Sequence, residues 1–140
     1  MIEVDLRRFP LFAGLGHEEL EAVAARLEVR ELEADQTLWR EGDGALALAL
    51  LDQGTVRIES HGLGALGHCE APACLGAASL VDEGQRESSA IANGPARALL
   101  LSKTAFAELI EETPRAAAHV LAAVVGDLAT TLRQGLPFLA

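Results

Sequence analysis

The chain has 140 residues, half of them apolar, and this is sufficient for one domain with its own hydrophobic core. Acidic residues outnumber lysine and arginine by 21 to 11, so the formal net charge is −10 at pH 7. Proteins that bind nucleic acid draw most of their affinity from clustered cations that neutralise phosphates. The charge balance therefore argues against nucleic-acid binding, and we expect no direct contact with DNA.

Neither a secretory signal nor a membrane span is indicated. Residues 1–12 mix acidic and basic side chains among the apolar ones, whereas a signal peptide carries an uninterrupted apolar segment. The longest apolar runs, residues 45–51 and 116–125, are shorter than the roughly 20 residues that a transmembrane helix requires. We expect a soluble cytoplasmic protein in which Cys69 and Cys74 are reduced thiols.

Residues 1–32 are predicted to form an N-terminal helical arm. Four apolar residues recur at the spacing of one helix face: Leu20, Val23, Ala24 and Leu27. Upstream of them, a short turn of chain is expected to pack against this helix through Phe9, Leu11, Phe12 and Leu15.

Between residues 33 and 102 the chain consists of short segments separated by glycine, which is the pattern of strands joined by turns. Apolar residues alternate with small or polar ones, as in Leu48 and Leu50 or Val56 and Ile58. This predicts a small barrel or roll with a filled interior. The predicted strands are Thr37–Arg40, Leu46–Leu51, Thr55–Glu59, Ser88–Ala92 and Ala96–Ser102, the last two joined by a turn at residues 93–95.

Two helices are predicted after the roll, Lys103–Glu112 and Pro114–Gln134, because proline is tolerated in the first turn of a helix but not in its interior. Along the second helix, five residues fall at alternating steps of four and three, a spacing typical of a coiled-coil seam. Two interpretations stay open: the stripe joins two copies of the chain in a homodimer, or it covers the roll. The stripe consists of Ala117, Leu121, Val124, Leu128 and Thr131.

Three stretches resemble the cyclic-nucleotide-binding domain family, the sensor domain of catabolite-activator-type regulators. Residues 9–20, FPLFAGLGHEEL, are similar to the family's opening turn and helix. Residues 38–43, LWREGD, together with residues 54–58, GTVRI, are similar to its paired glycine turns. Residues 75–86, LGAASLVDEGQR, resemble its phosphate-binding cassette. The resemblance implies one α+β domain over residues 1–140, a jelly-roll-like β-roll flanked by an N-terminal helical segment and two C-terminal helices.

The cassette is the family's ligand site, so the resemblance implies a cyclic nucleotide ligand, cyclic AMP or cyclic GMP, and no other cofactor. Exposed backbone N–H groups and a bidentate arginine are donors suited to a cyclic monophosphate. Gly76 permits close approach of the backbone to the ligand. Arg86 is the candidate partner of the anion. Outside a phosphate-binding cassette, an arginine near Asp82 and Glu83 is typical of a solvated surface. Further candidate donors are the N–H groups of Ala77 and Ala78 and the hydroxyls of Ser88 and Ser89.

Three positions depart from the family's pattern and predict a divergent pocket. Ala77 stands where the family has an acidic residue that accepts a hydrogen bond from the ribose hydroxyl, and the loss of such a bond costs about 1.5–3 kcal/mol. Glu87 follows the arginine where a small residue is usual, and its carboxylate would repel the phosphate or neutralise Arg86. Leu75 replaces a phenylalanine, which is a milder change.

The resemblance also bears on the last helix and on the residues after it. It places Thr131 where related domains have a hydroxyl that contacts the purine, although a threonine in a helix is more often a surface or seam residue. In the transcription-factor branch of the family, a helix-turn-helix reader follows the sensor domain, whereas only residues 135–140 follow the predicted helix. We therefore expect a stand-alone sensor or regulatory piece that acts on a partner protein.

Three functional classes are compatible with these residues. The first is a small-ligand sensor, and the second is an interaction or dimerisation module that retains the fold but no longer binds a nucleotide. The third is a metal or redox sensor, because four soft ligands are close in sequence: His61, His68, Cys69 and Cys74. Their spacing lacks a Cys-x-x-Cys pair or a His-x-His pair, and no catalytic Ser-His-Asp or Cys-His set stands out. Neither a bound metal nor an enzyme is predicted.

Overall fold

Eight strands form two antiparallel sheets within residues 5–135, the part of the chain that the computed structural model describes. Residues 1–4 of the predicted N-terminal arm and residues 136–140 lie outside it. The first sheet has the order β1-β8-β3-β6 and the second the order β2-β7-β4-β5. The strands are β1 (Glu28–Leu32), β2 (Thr37–Trp39), β3 (Ala47–Gln53), β4 (Thr55–Ser60), β5 (Gly64–Glu70), β6 (Ala73–Leu75), β7 (Ser89–Ala92) and β8 (Ala96–Ser102).

Helices precede and follow this roll. The α-helices are α1 (His17–Ala24), α2 (Lys103–Glu112) and α3 (Pro114–Gly135). Three short 3₁₀ helices span Leu6–Arg8, Pro10–Phe12 and Ala77–Leu80, the last lying between β6 and β7. The predicted α+β roll flanked by helices is confirmed, and the bounds of β8 and α2 agree with the predicted ones.

The predicted helical arm over residues 1–32 is wrong at its C-terminal end. Glu28–Leu32 is a strand that pairs antiparallel with β8, from Glu28 opposite Leu100 to Leu32 opposite Ala96, so the roll begins at Glu28 and not at residue 33. The pairing partner lies about seventy residues away along the chain, and long-range pairing overrides weak local propensity. Strands β5 and β6 were not predicted: β5 carries two glycines, at its first residue and at Gly67, and has mostly exposed side chains, while β6 has only three residues.

The first sheet is buried on both faces, which explains the near-continuous apolar composition of β3 and β8. From β3, Leu48 and Leu50 belong to a cluster shared with the helices, which we call the helix-side core. The alternate residues Ala49 and Leu51 belong to a second cluster between the two sheets, the roll interior. This arrangement follows from the two-residue period of a strand and requires a layer of helices outside the roll.

A buried aspartate attaches the N-terminal turns to the first sheet. Asp52, at the end of β3, is 3% exposed. Its Oδ1 accepts a hydrogen bond from Arg8 Nη1 at 2.9 Å, and its Oδ2 accepts one from Arg97 Nε at 2.9 Å. A buried carboxylate needs such partners, because removing its charge from water is costly. The two arginines thus connect the 3₁₀ helix Leu6–Arg8 to β3 and β8.

Helix α3 presents two different apolar stripes. Ala116, Ala117, Val120 and Val124 are buried in the helix-side core. A second stripe, which we call the outer stripe, consists of Leu121, Val125, Leu128 and Leu132. Val125 is 58% exposed and Leu132 is 59% exposed, whereas Leu128 is half-buried and also packs against the helix-side core. The predicted seam therefore straddles two faces, since Ala117 and Val124 cover the roll whereas Leu121 and Thr131 are exposed. The four-three spacing alone cannot distinguish stripes that lie a residue apart on the same helix.

Taken over its whole length, α3 is the one helix in residues 5–135 that is long and apolar enough to cross a bilayer. The sequence prediction of no membrane span was based on uninterrupted apolar runs. Helix α3 is longer than any of these runs, since it extends past charged residues such as Arg115 and Asp127. A core helix of a soluble protein has the same length and composition, so this property is weak support for a membrane span.

Candidate functional site

Gly76 turns the chain from β6 into the 3₁₀ helix Ala77–Leu80 with a left-handed backbone, φ +69°. This conformation favours glycine, because a Cβ would crowd the backbone. The Ser79 hydroxyl donates to the Gly76 carbonyl at 2.6 Å, and the Ser79 N–H donates to the same oxygen at 3.0 Å. Ser79 is buried, so water does not compete for these bonds. The amides of Ala77 and Ala78 begin the helix and have no acceptor inside it.

The loop that follows the 3₁₀ helix is hydrogen-bonded to the turn between β2 and β3. The Gly42 N–H donates to the Arg86 carbonyl at 2.8 Å, and the Arg86 N–H donates to the Asp43 carbonyl at 2.7 Å. The Ala45 N–H donates to the Gly84 carbonyl at 2.9 Å. These bonds fix the backbone on both sides of Arg86, and its side chain enters the roll.

Three contacts hold the Arg86 guanidinium inside the roll. Its Cζ lies 3.6 Å from the centroid of the Trp39 ring, within the range of a cation–π interaction. Its Nη2 donates to the Ala47 carbonyl of β3. Its Nη1 lies so close to Gly76 that a methyl group there would overlap it. Burial lowers the pKa of the Arg86 guanidinium, and the nearby Asp43 carboxylate opposes this shift.

The Nε of Arg86 is buried and has no hydrogen-bond partner among residues 5–135. Buried donors nearly always have a partner, and leaving one unpaired costs about 1–3 kcal/mol. An oxyanion that accepts bonds from this guanidinium would remove that cost. The donors present therefore fit a ligand with a phosphate or carboxylate group.

Arg86 lines a cleft of about 400 Å³ between the cassette and the roll. The roll contributes apolar surface through Trp39, Ile58 and Leu75. The cassette contributes polar groups, including the exposed carboxylates of Asp82 and Glu87. The negative charges of these two carboxylates oppose the approach of an anion, whereas Arg86 attracts it.

Four of the predicted ligand residues line this cleft: Gly76, Ala78, Arg86 and Ser88. Ala77 directs its methyl group into the helix-side core and is 5% exposed, so only its backbone amide remains as a candidate donor. At this position the cleft therefore has no acidic side chain that could accept a hydrogen bond from a ligand.

Ser89 and Thr131 lie outside the cleft. The Ser89 hydroxyl accepts a hydrogen bond from the Glu41 N–H at 2.9 Å and lines a different, open cleft on the outer face of the second sheet. Ser88 and Ser89 are neighbours at the start of a strand, where successive side chains point to opposite faces. Thr131 is exposed on α3 and donates its hydroxyl to the Asp127 carbonyl at 3.0 Å.

Sequence reasoning missed two groups that hold Arg86, the Trp39 ring and the Ala47 carbonyl. Trp39 contributed to the prediction only as part of the LWREGD stretch. The register between β2 and β7 shifts at Thr37 and Trp39, so simple alternation does not predict which face Trp39 occupies. One signal was available: Trp39 is the only tryptophan of the chain and precedes a glycine turn.

The cassette also contacts both C-terminal helices. Ala77 and Leu80 pack in the helix-side core, and α3 lies against the 3₁₀ helix. The ammonium group of Lys103, the first residue of α2, donates a hydrogen bond to the Asp82 carbonyl. A displacement of the cassette would therefore be transmitted to α2 and α3 by direct contact.

The cysteines and histidines do not come together. In the described part of the chain, no three of His, Cys, Asp and Glu are arranged to hold a metal ion. Both cysteines are free; Cys74 packs against the helix-side core and Cys69 against the roll interior. His61 and His68 are exposed at the β4–β5 hairpin, where His61 Nδ1 lies 3.2 Å from Glu41 Oε2.

Comparison with known proteins identifies similar sequences and folds. Residues 29–113 match the family model described as a cyclic nucleotide-binding domain. The Cyclic AMP receptor protein of Thermus thermophilus is 33% identical over 132 residues, which cover 89% of this chain. The chain spans 58% of the length of that curated relative.

Two solved structures have similar folds. The N-terminal domain of a transcriptional regulator from Streptomyces coelicolor A3(2) has a TM-score of 0.78 at 29% identity, over 90% of this chain and 93% of that one. The Thermus thermophilus Catabolite Activator Protein has a TM-score of 0.78 at 30% identity, over 93% of this chain and 62% of that one.

Proposed function

Because this chain belongs to the cyclic nucleotide-binding domain family, we propose that it is a regulatory, non-enzymatic sensor domain of the cytoplasm whose cassette binds a cyclic nucleotide. The position of Arg86 carries this proposal. An arginine held within a cleft, with a buried and unpartnered Nε, is a preformed site for an anion. A solvated surface arginine would have neither the aromatic contact nor the burial.

The cyclic phosphate would bind to the guanidinium of Arg86 and to the amides of Ala77 and Ala78, with the Ser88 hydroxyl as a further donor. The base and ribose would lie against the apolar side of the cleft, next to Ile58 and Leu75. No carboxylate at position 77 accepts a bond from the ribose, so we expect affinity roughly tenfold to hundredfold below that of a site with this acceptor.

The output of the sensor would pass through the C-terminal helices. A ligand that binds Arg86 would shift the cassette, whose 3₁₀ helix lies against α3 and which accepts a hydrogen bond from Lys103 of α2. The outer stripe of α3 repeats at steps of four, three and four, a spacing that suits a parallel pair of helices. We propose that the outer stripe is the interface of a homodimer. Because the chain carries a net negative charge, we also propose that it does not bind DNA directly.

Calorimetric titration with cyclic AMP and cyclic GMP tests the ligand. We expect one nucleotide to release heat with the native chain and to bind Arg86→Ala about a hundredfold more weakly, which remains measurable at higher nucleotide concentration. Arg40→Ala is the matched control, because Arg40 carries the same charge beside Trp39 but is exposed. The absence of heat with both nucleotides would contradict the proposed ligand, as would binding that Arg86→Ala leaves intact.

Sedimentation equilibrium tests the dimer separately. We expect the native chain to sediment as a dimer and Val125→Glu to sediment as a monomer, because a charge in an apolar helix interface is costly to bury. Ile110→Glu is the control, since Ile110 is also exposed but lies on α2. A monomeric native chain would refute the assignment of the outer stripe.

A second candidate function is an interaction module that has the fold but no ligand. Two observations favour it: Arg86 already donates to the Ala47 carbonyl of its own chain, and Ala77 lacks the acidic group. This function predicts no heat with either nucleotide together with a dimer that depends on Val125. Calorimetry and sedimentation together therefore separate the candidates.

A further inference from the structure

Trp39 and Arg86 form the one pair of side chains in the described roll that joins an aromatic ring to a cation inside the cleft. Trp39 is half-buried on β2, and its ring centroid lies 3.6 Å from Arg86 Cζ. A methyl group built on Gly76 would lie 3.1 Å from Trp39 Cη2 and would overlap Arg86 Nη1. The ring, the guanidinium and the backbone of the cassette therefore meet at one point.

We propose that Trp39 is a positioning residue of this site: its ring holds the guanidinium of Arg86 beneath Gly76, so that the arginine is already ordered when an anionic ligand arrives. The inference rests on the proposed function, since the ligand meant here is the cyclic phosphate. In this role Trp39 contacts the guanidinium of Arg86 and not the phosphate of the ligand.

An aromatic ring suits this role better than a carboxylate. A carboxylate would hold the arginine by accepting its N–H groups, and would then compete with an anionic ligand for them. A ring face attracts the cation and uses none of its donors. Asp43, the acidic residue whose charge acts on Arg86, instead accepts a hydrogen bond from the Arg40 N–H at 3.0 Å. Glu87 is exposed to solvent.

The hydrogen bond to Ala47 cannot replace the ring. Ala47 accepts a hydrogen bond from Nη2 alone, and a single bond leaves the guanidinium free to rotate about it. An arginine that is disordered before binding must lose its conformational freedom when the ligand binds, which lowers affinity. Stacking on Trp39 removes that loss in advance.

The chain offers a direct probe of this contact, because Trp39 is its only tryptophan and it has no tyrosine. Intrinsic emission therefore reports one ring. The described phenylalanines belong to the helix-side core and not to the cleft: Phe9, Phe12 and Phe106.

The first experiment needs no ligand and compares the emission of the native chain with that of Arg86→Ala and Arg40→Ala. We expect Arg86→Ala to shift the emission of Trp39 to longer wavelength, because the ring loses its cover and becomes hydrated. Arg40→Ala should leave the spectrum unchanged. Identical spectra for the native chain and Arg86→Ala would overturn the inference, whatever calorimetry shows.

The second experiment compares the affinity of Trp39→Leu and Trp39→Phe for the cyclic nucleotide that the native chain binds. We expect Trp39→Leu to weaken binding about tenfold and Trp39→Phe, which retains a flat ring, to weaken it about threefold or less. Both variants lose packing in the roll interior, so their thermal stabilities should be similar. Equal affinities of the two variants would overturn the positioning role.

A double-mutant cycle separates positioning from direct contact with the ligand. If Trp39 acts only through Arg86, then Trp39→Leu changes affinity no further in an Arg86→Ala background. A full additional loss in that background would assign Trp39 to the ligand itself and overturn the inference. A native chain that binds neither nucleotide would contradict the proposed function, while the emission comparison would still decide whether Trp39 holds Arg86.

Discussion

Gly76 and Arg86 are in direct contact, and no side chain larger than hydrogen fits between the Gly76 backbone and Nη1 of Arg86. Glycine is required here for two independent reasons, the left-handed backbone at φ +69° and this contact. Gly64 satisfies only the first condition: its φ is +71°, and a Cβ there would have nothing within 4 Å. The two glycines therefore allow backbone strain to be separated from displacement of Arg86.

We predict that Gly76→Ala destabilises the protein more than Gly64→Ala does. The left-handed backbone costs an alanine about 1–2 kcal/mol at either position, and the overlap at position 76 adds about 1–3 kcal/mol. Urea unfolding measures both changes. Only Gly76→Ala should also shift the emission of Trp39, because only it moves Arg86. Equal destabilisation by the two substitutions would contradict the contact.

Asp52→Asn should lower the free energy of unfolding by about 3 kcal/mol. The substitution keeps the shape of the side chain but leaves Arg8 and Arg97 without their shared anion, and Asp52 is only 3% exposed. Urea unfolding is the measurement, and Glu108→Gln, at an exposed position on α2, is the control. An effect no larger than that of the control would mean that the network contributes nothing to stability.

Glu87→Ser should tighten binding of the cyclic nucleotide by up to about fivefold at low salt, since an exposed charge interaction is worth about 0.2–1 kcal/mol. The carboxylate lines the opening of the cleft and repels an incoming anion. The gain should fade at high salt, because screening suppresses interactions between exposed charges. Calorimetry at two salt concentrations checks this. A gain that persists at high salt would mean that Glu87 blocks the site by a direct contact.

The two cysteines should differ in reactivity towards a thiol reagent. Burial, and secondarily the charge of Asp127, raises the pKa of Cys74 to about 12, so only about 10⁻⁴ of this thiol is ionised at pH 8. Burial also raises the pKa of Cys69, which is less buried. We expect Cys74→Val to leave a chain that is labelled at a moderate rate and Cys69→Ser to leave one that is nearly inert. Similar rates would show that Cys74 is accessible.

The same pKa shift has a consequence for stability. A thiol whose pKa is raised on folding contributes stability that is fully present below its ordinary pKa of 9.0 and is lost as the pH rises towards about 12. Thermal unfolding should therefore shift to lower temperature across this interval in the native chain. The shift should be smaller in Cys74→Val, and an equal shift in both would assign the alkaline sensitivity to other groups.

Local signals in the sequence were sufficient for the elements with clear ends. Helix α2 begins after Ser102, whose hydroxyl accepts a hydrogen bond from the Ala105 N–H at 3.0 Å, and a serine before an apolar period is a readable start signal. Strand β8 lies between a turn and that helix, so both of its ends were marked. Strand β1 has no such marks, and its identity depends on β8.

The sequence by itself determined the roll and the flanking helices, because these depend on composition and short periods, whereas the family and the cassette arginine came from the resemblance of short stretches to family motifs. Only the tertiary structure decided that Trp39 meets Arg86, that Ser89 faces away from the cleft and that α3 leaves Val125 and Leu132 exposed. Each of these depends on the pairing of distant strands or on the packing face of a helix. A register shift between β2 and β7 would change the first two, and a rotation of α3 by one residue would change the third, without altering any local pattern.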